Sequence, residues 1–187
     1  MRIISGNFKG KKILIPKDHQ TRPLKDLTKE SIFNIISHSN KIDVQIKGSN
    51  ILDLFSGVGS FGLEAFSRGA KNITFVENYS GVIPILKKNI KSLNLNKNIK
   101  IIEKDIINNL DFKIFNSEFD IIFIDPPYKE ENIQLVLFKI LNSKILKNKG
   151  IIILHRHKNN NDIFPDGFNI IEIRTYGISK IIFLKFN

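Results

Sequence analysis

From Asn50 onward the chain alternates short apolar runs with amphipathic stretches. The runs Asn50 to Leu54, Asn72 to Val76, Ile99 to Ile102, Phe119 to Ile124 and Gly150 to Leu154 are mostly apolar throughout rather than alternating with polar residues. Parallel strands covered on both faces have that pattern. Between them, Ser60 to Ser67, Val82 to Leu93 and Glu131 to Leu141 bring apolar residues back near the helical period, with Pro84 fixing where the second begins. The alternation predicts a doubly wound, Rossmann-like α/β sheet. The closing stretch FNIIEIRTYGISKIIFLKF predicts two antiparallel strands about Tyr176-Gly177.

The first residues follow a different pattern. Arg2 to Ile4 and Lys12 to Ile15 predict two short strands about a Gly6 to Gly10 turn, closed by Pro16. Asp26 to Ser37 places Leu27, Ile32, Phe33, Ile35 and Ile36 near helical spacing, with Asp26 or Thr28 as the N-cap. The expected organisation is a hairpin-and-helix extension over residues 1–40, followed by an α/β domain over residues 41–187.

Charge adds a partner to this picture. Lys and Arg number 29 against 18 Asp and Glu, a formal charge of +11. About half of it lies in the first 30 residues, where Arg2, Lys9, Lys11, Lys12, Lys17, Arg22, Lys25 and Lys29 face only Asp18, Asp26 and Glu30. A cluster of that kind favours a polyanion through counterion release, so Arg2, Lys9, Lys11, Lys12 and Arg22 are candidate RNA contacts. The absence of cysteine excludes disulfides, thiolate catalysis and Cys-ligated zinc. With no apolar run of membrane length and no signal-like start, the expected location is the cytoplasm, without a membrane partner.

The chemistry gathers at strand ends. ILDLFSGVGSFGLEAFSRGA ends a strand at Asp53 and turns through Gly57, Gly59 and Gly62 into a helix, a cradle that lets backbone approach a ligand closely. A carboxylate at Asp53 would repel a pyrophosphate but could hold the ammonium of a methionine moiety, which favours S-adenosylmethionine over NAD. Glu77 ends the next strand, where an acid accepts ribose hydroxyls, and Asp105 follows the third, where a carboxylate could take a proton from an adenine amine. After the fourth strand stands Asp125-Pro126-Pro127-Tyr128. Two prolines stiffen the turn, so Asp125 and the Pro126 carbonyl can hold an exocyclic amine while Tyr128 stacks on its base. Catalysis of that kind works by positioning and proton acceptance and requires no metal. His155 and His157 alternate on one strand and are expected at the surface or facing RNA, not on a metal.

RIISGNFKG, TRP with Asp26, Glu30, Phe33 and Asn34, DLFSGVGSFGLEAFSRGA, FVE, DPPY and the final YG hairpin together resemble the bacterial small-subunit (16S) rRNA guanine-N2 methyltransferases of the RsmD type. The resemblance covers nearly the whole chain. It implies the seven-stranded class I methyltransferase fold, S-adenosylmethionine as donor and a guanine of small-subunit rRNA, free or in an assembling 30S subunit, as acceptor of a monomeric enzyme. The candidate donor set is Asp53, Phe55, Gly57, Gly59, Glu77, Asn78, Asp105 and Ile106; the candidate acceptor set is Asp125, Pro126, Pro127 and Tyr128. Methyl transfer to adenine N6 or glutamine N5 uses a comparable turn, more often opening with Asn, and stays open as an alternative.

Overall fold

The computed structural model describes residues 1–17, 24–95 and 97–187. Its elements are α1 (Asp26–His38), β1 (Asn50–Leu54), α2 (Ser60–Ser67), β2 (Asn72–Glu77), α3 (Ile83–Ser92), β3 (Ile99–Glu103), β4 (Phe119–Ile124), α4 (Ile133–Ser143), β5 (Leu146–His157), β6 (Phe168–Tyr176) and β7 (Ser179–Phe186). One seven-stranded sheet runs in the order β3-β2-β1-β4-β5-β7-β6. The first five strands pair in parallel, and β7 inserts antiparallel between β5 and β6. The chain moves outward from β1 to β3 on one side and from β4 to β5 on the other. The carboxyl ends of β1 and β4 therefore flank the switch point, where ligands of doubly wound sheets bind.

Successive strand residues feed opposite layers. Ile51, Ile73, Phe75, Ile121, Phe123, Ile151, Ile153, Ile181 and Phe183 join the core under α1, α2 and α3. Leu52, Leu54, Ile122, Ile124, Ile152, Leu154, Ile182 and Leu184 join the core under α4. Ile3, Ile13, Ile32, Phe33 and Ile36 of the N-terminal segment lie in the first of these clusters. Phe33, Phe61 and Phe123 stack in sequence, with centroids 5.1 and 4.0 Å apart, tying α1 through α2 to the end of β4.

Three features depart from the sequence reading. The N-terminal hairpin reduces to a single bridge between Arg2 and Lys12. Around that bridge the Ile3 and Ile13 amides donate to the Lys11 and Met1 carbonyls at 2.9 and 3.0 Å, while the Ile4 and Ser5 amides donate to the Glu64 carboxylate of α2 at 2.7 and 3.0 Å and the Asn7 amide donates to the Ser67 carbonyl at 2.8 Å. Gly6 permits that approach, since a Cβ there would lie 1.9 Å from the Ser67 carbonyl oxygen. The N-cap of α1 is Lys25, with no side-chain cap; Asp26 sits in the first turn and faces Lys29 at 3.6 Å. Strand β5 extends beyond Gly150 to Leu154 at both ends, because Leu146 pairs with Phe119 and residues up to His157 pair with β7.

Candidate active site

Beyond β1 the backbone turns sharply, with Phe55 at φ 58, Gly57 at φ 54 and Gly59 at φ 83. A left-handed phenylalanine costs free energy and concentrates at ligand sites. The turn is held from beneath: Ser56 donates its amide to the Val76 carbonyl, and Asp53 accepts the amide of Gly62 in the first turn of α2 at 3.0 Å. Asp53 thus satisfies one of the free N-H groups at a helix start that its N-cap, Gly59, cannot serve. A Cβ on Gly59 would lie 2.6 Å from the Leu86 side chain, so this glycine supports the loop rather than lining the cavity.

Glu77, at the end of β2, accepts three amides: Gly57 at 2.7 Å, Asn78 at 2.9 Å and Tyr79 at 2.9 Å. Its carboxylate therefore stitches the glycine loop to the end of the neighbouring strand. Asp105 is engaged by its own loop, accepting the amides of Ile107 and Asn108 at 2.8 Å each and the side chains of Asn108 and Asn78. These bonds, the Asn108 amide foremost, hold its carboxyl below the usual carboxylate range. Ile106 is buried against the α4 layer.

A cavity of about 390 Å³ opens at the switch point. Asp53, Phe55, Gly57, Glu77, Asn78, Asp125, Pro126, Pro127 and Tyr128 all line it, as do Leu24, Ser56, Phe61, Tyr79 and Phe123. Asp105, Ile106 and Gly59 are not in its wall; Asp105 reaches it only through the Asn78 side chain at 3.2 Å. The candidate RNA contacts lie elsewhere. Arg2 and Lys9 line a second hollow with Asp26, Glu30, Asn34 and Arg68, Lys11 and Lys12 are exposed, and Arg22 falls outside the described residues.

The Asp-Pro-Pro-Tyr turn is braced from β5. His155 is 3% exposed and its Nδ1 lies 2.7 Å from Asp125 Oδ1, so the expected surface position is corrected. Strand alternation alone does not reveal this burial, which comes from β7 alongside and from Asp125, 30 residues earlier. His157 meets Tyr128 edge-on, with centroids 5.0 Å apart. Arg156, also buried, donates to Asp162 and to the Glu130 carbonyl just beyond the turn. Asn160 donates to the Tyr128 carbonyl and accepts from Lys180.

The electrostatics of the cavity are the reverse of those of the chain. Asp53, Glu77 and Asp125 line it, and among the described residues no Lys, Arg or His does. Burial pushes the Asp53 carboxyl well above its ordinary value of 3.8, with Asp125 and Glu77 adding to the rise. In the sign of linkage, a raised folded-state value favours the protonated form, so the free protein loses stability as pH rises from 3.8 through that raised value. Asp53→Asn keeps an oxygen for the Gly62 amide and removes the charge. It is therefore expected to raise the melting temperature near neutral pH, by about 2–4 °C per kcal/mol recovered, and to flatten the pH dependence of stability. Thermal melts across pH would detect this, and a lower neutral melting temperature than wild type would contradict it.

Sheet order, glycine turn, strand-end acids and Asp-Pro-Pro-Tyr turn together define a class I S-adenosylmethionine-dependent methyltransferase. Residues 1–185 match the family model described as conserved hypothetical protein 95. The chain belongs to that family, of the RsmD type. Ribosomal RNA small subunit methyltransferase D of Buchnera aphidicola from Acyrthosiphon pisum is 36% identical over 168 residues, covering 90% of this chain and 84% of the relative. The protein of the same name from Haemophilus influenzae is 30% identical, covering 95% and 90%. A solved Haemophilus influenzae methylase superposes with a TM-score of 0.78 at 28% identity, over 98% and 97% of the two chains.

Proposed function

We propose that the protein transfers a methyl group from S-adenosylmethionine to the exocyclic N2 of a guanine in small-subunit rRNA. The observation that carries this reading is the acid-lined cavity, free of basic side chains, in a chain of charge +11. A pyrophosphate would meet three carboxylates there without a cation, whereas a ligand bearing a sulfonium and an ammonium relieves their mutual repulsion. The donor thus fits the residues present. Bound there, it supplies an electrophilic methyl group.

The rest is the work of the protein. Besides the Gly62 amide, Asp53 has no hydrogen-bond partner among the described residues, which leaves its second oxygen for the ammonium group. Glu77, fixed by three amides, serves the ribose hydroxyls. Asp125 and the Pro126 carbonyl hold the acceptor amine and take its proton, while Tyr128 stacks on the base. The basic N-terminal segment binds the RNA backbone. Its tip docks on Ser67, at the end of α2 remote from the glycine loop. Eight helical residues span about 12 Å, so the tip meets RNA some nucleotides away from the target.

Incubation with labelled donor and with RNA, free and in subunits, followed by nucleoside analysis, should yield N2-methylguanosine. N6-methyladenosine would instead support the adenine alternative, and tight NAD binding without donor binding would defeat the reading. Replacing Lys9, Lys11 and Lys12 together should weaken RNA binding and flatten its salt dependence by roughly 0.7–0.9 for each phosphate that is no longer neutralised, at constant donor affinity. Fluorescence titrations at several salt concentrations measure this. An unchanged slope would mean these lysines are only solvated surface.

A further inference from the structure

We propose that His155 is a positioning residue for the methyl transfer itself, fixing the Asp125 carboxylate so that one oxygen is occupied and the other faces the acceptor amine. The inference rests on the reading of Asp125 as the amine-holding acid. Its starting point is register: Ile124 and Leu154 are partners on β4 and β5, so Asp125 and His155 are the next residues along two paired strands. Asp125 leaves the sheet at its carboxyl edge, whereas His155 stays in β5, paired with Ile181 of β7, so the two stand side by side.

At 2.7 Å, the contact between Nδ1 and Oδ1 is of charge-assisted length. Among the described residues it is the only hydrogen bond of the Asp125 side chain. A carboxylate at a turn has a broad, two-fold terminal torsion, and positioning an amine for attack demands that this torsion be fixed. The imidazole does so. It also stands edge-on to Tyr128, with centroids 5.9 Å apart, so one buried ring orders both the carboxylate and the stacking surface.

The other ring nitrogen argues against a purely packing role. His155 Nε2 is buried without a partner. A buried orphan polar atom costs stability that an apolar side chain would avoid, so the histidine needs a reason beyond filling space. The bond from Nδ1 supplies that reason. It also fixes the tautomer, because the carboxylate requires the proton on Nδ1 and Nε2 has no acceptor to donate to.

Three replacements separate the roles. His155→Asn places an amide N-H near the position of Nδ1, His155→Gln places it near Nε2, and His155→Leu removes it. His155→Leu is expected to lower kcat by about 10- to 100-fold, the range for misplacing a reacting group by roughly 1 Å, with the KM for RNA and the donor Kd unchanged. Asn should recover most of kcat and Gln little of it. Independently of activity, nitrogen-proton spectra of the imidazole should show a proton on Nδ1 in the wild type. Asp125→Ala should remove the preference for that site. Wild-type kcat in the Leu variant, or Asn no better than Leu, would overturn the proposal, as would a wild-type ring protonated only on Nε2. Should His155→Leu fail to fold, the Asn and Gln pair and the spectra still decide. A wild type that transfers no methyl to RNA defeats the proposed function instead, and the spectra then judge the His155 contact alone.

Discussion

Asp125→Ala is expected to lower methyl transfer at least about 100-fold while leaving donor binding in place. The separation follows from how the turn is built. Its backbone is held by the Asp125 amide donating to the Leu54 carbonyl at 3.2 Å and by the two prolines, none of which the substitution touches. Asp53 and Glu77 keep their amide partners, and losing a neighbouring negative charge relieves Asp53. Only the carboxylate proposed to face the amine is gone. Asp125→Asn is the more discriminating change, since its oxygen can still accept from the amine but cannot take up the proton. Residual transfer in Asn well above that in Ala would assign the effect to positioning, and equal loss would assign it to proton acceptance. Single-turnover rates at saturating donor distinguish these results. Full activity in the Ala variant would remove the turn from the chemistry.

Glu64→Leu should be the most destabilising single change, by about 3–5 kcal/mol, with a fall in melting temperature on the order of 10 °C. Glu64 is fully buried, as is Lys29, 3.6 Å away. It also accepts from Arg68 at 2.8 Å and from the amides of Ile4 and Ser5. Its loss takes the acceptor from the two amides and leaves buried Lys29 with only the Arg2 carbonyl at 2.8 Å and half-exposed Asp26 at 3.6 Å. Burial already lowers the Lys29 value from 10.5, against the opposing pull of Glu64 and Asp26. Without Glu64 it falls further. A depressed folded-state value gives stability that is present above 10.5 and lost as pH falls through that depressed value. The deficit of the variant should therefore narrow as pH rises toward 10.5. Adding Lys29→Met should recover part of it, since the buried charge has lost its fully buried partner. Denaturant unfolding at several pH values provides the test.

The parallel sheet was readable in the sequence because strands buried on both faces leave continuous apolar runs. β1 and β4 have the limits that the runs themselves mark. Asp53, Glu77 and Asp125 were legible for a related reason: standing at or just past a strand end is a local property, and strand ends converge at the switch point. What pairs across long separations was not legible. The N-terminal hairpin keeps a short ladder of its own, but its Ile4 and Ser5 amides bond to a helix about 60 residues later, which nothing local announces. His155 looked like a surface residue because nothing adjacent reveals Asp125 as its partner. Conversely, Asp105 matched the strand-end pattern of acids, yet its own loop takes up its carboxylate. Arg156 and Lys29, among the largest fully buried side chains, carry no local sign of burial.

The long reach of the N-terminal contacts also orders events during folding. Ile4 and Ser5 find their acceptor on Glu64, and Leu14 finds its acceptor on Asn89, 75 residues further along. Such distant pairings repay the entropy of closing a large loop only after the intervening chain is in place. The segment is made before α2 and α3, and it has nothing to dock on until they have formed. A nascent or partly opened chain would therefore carry its positive charge on an unorganised tether. The basic surface takes shape together with the glycine turn that α2 anchors, so under the proposed function the RNA-facing arm and the donor cavity are completed at the same stage.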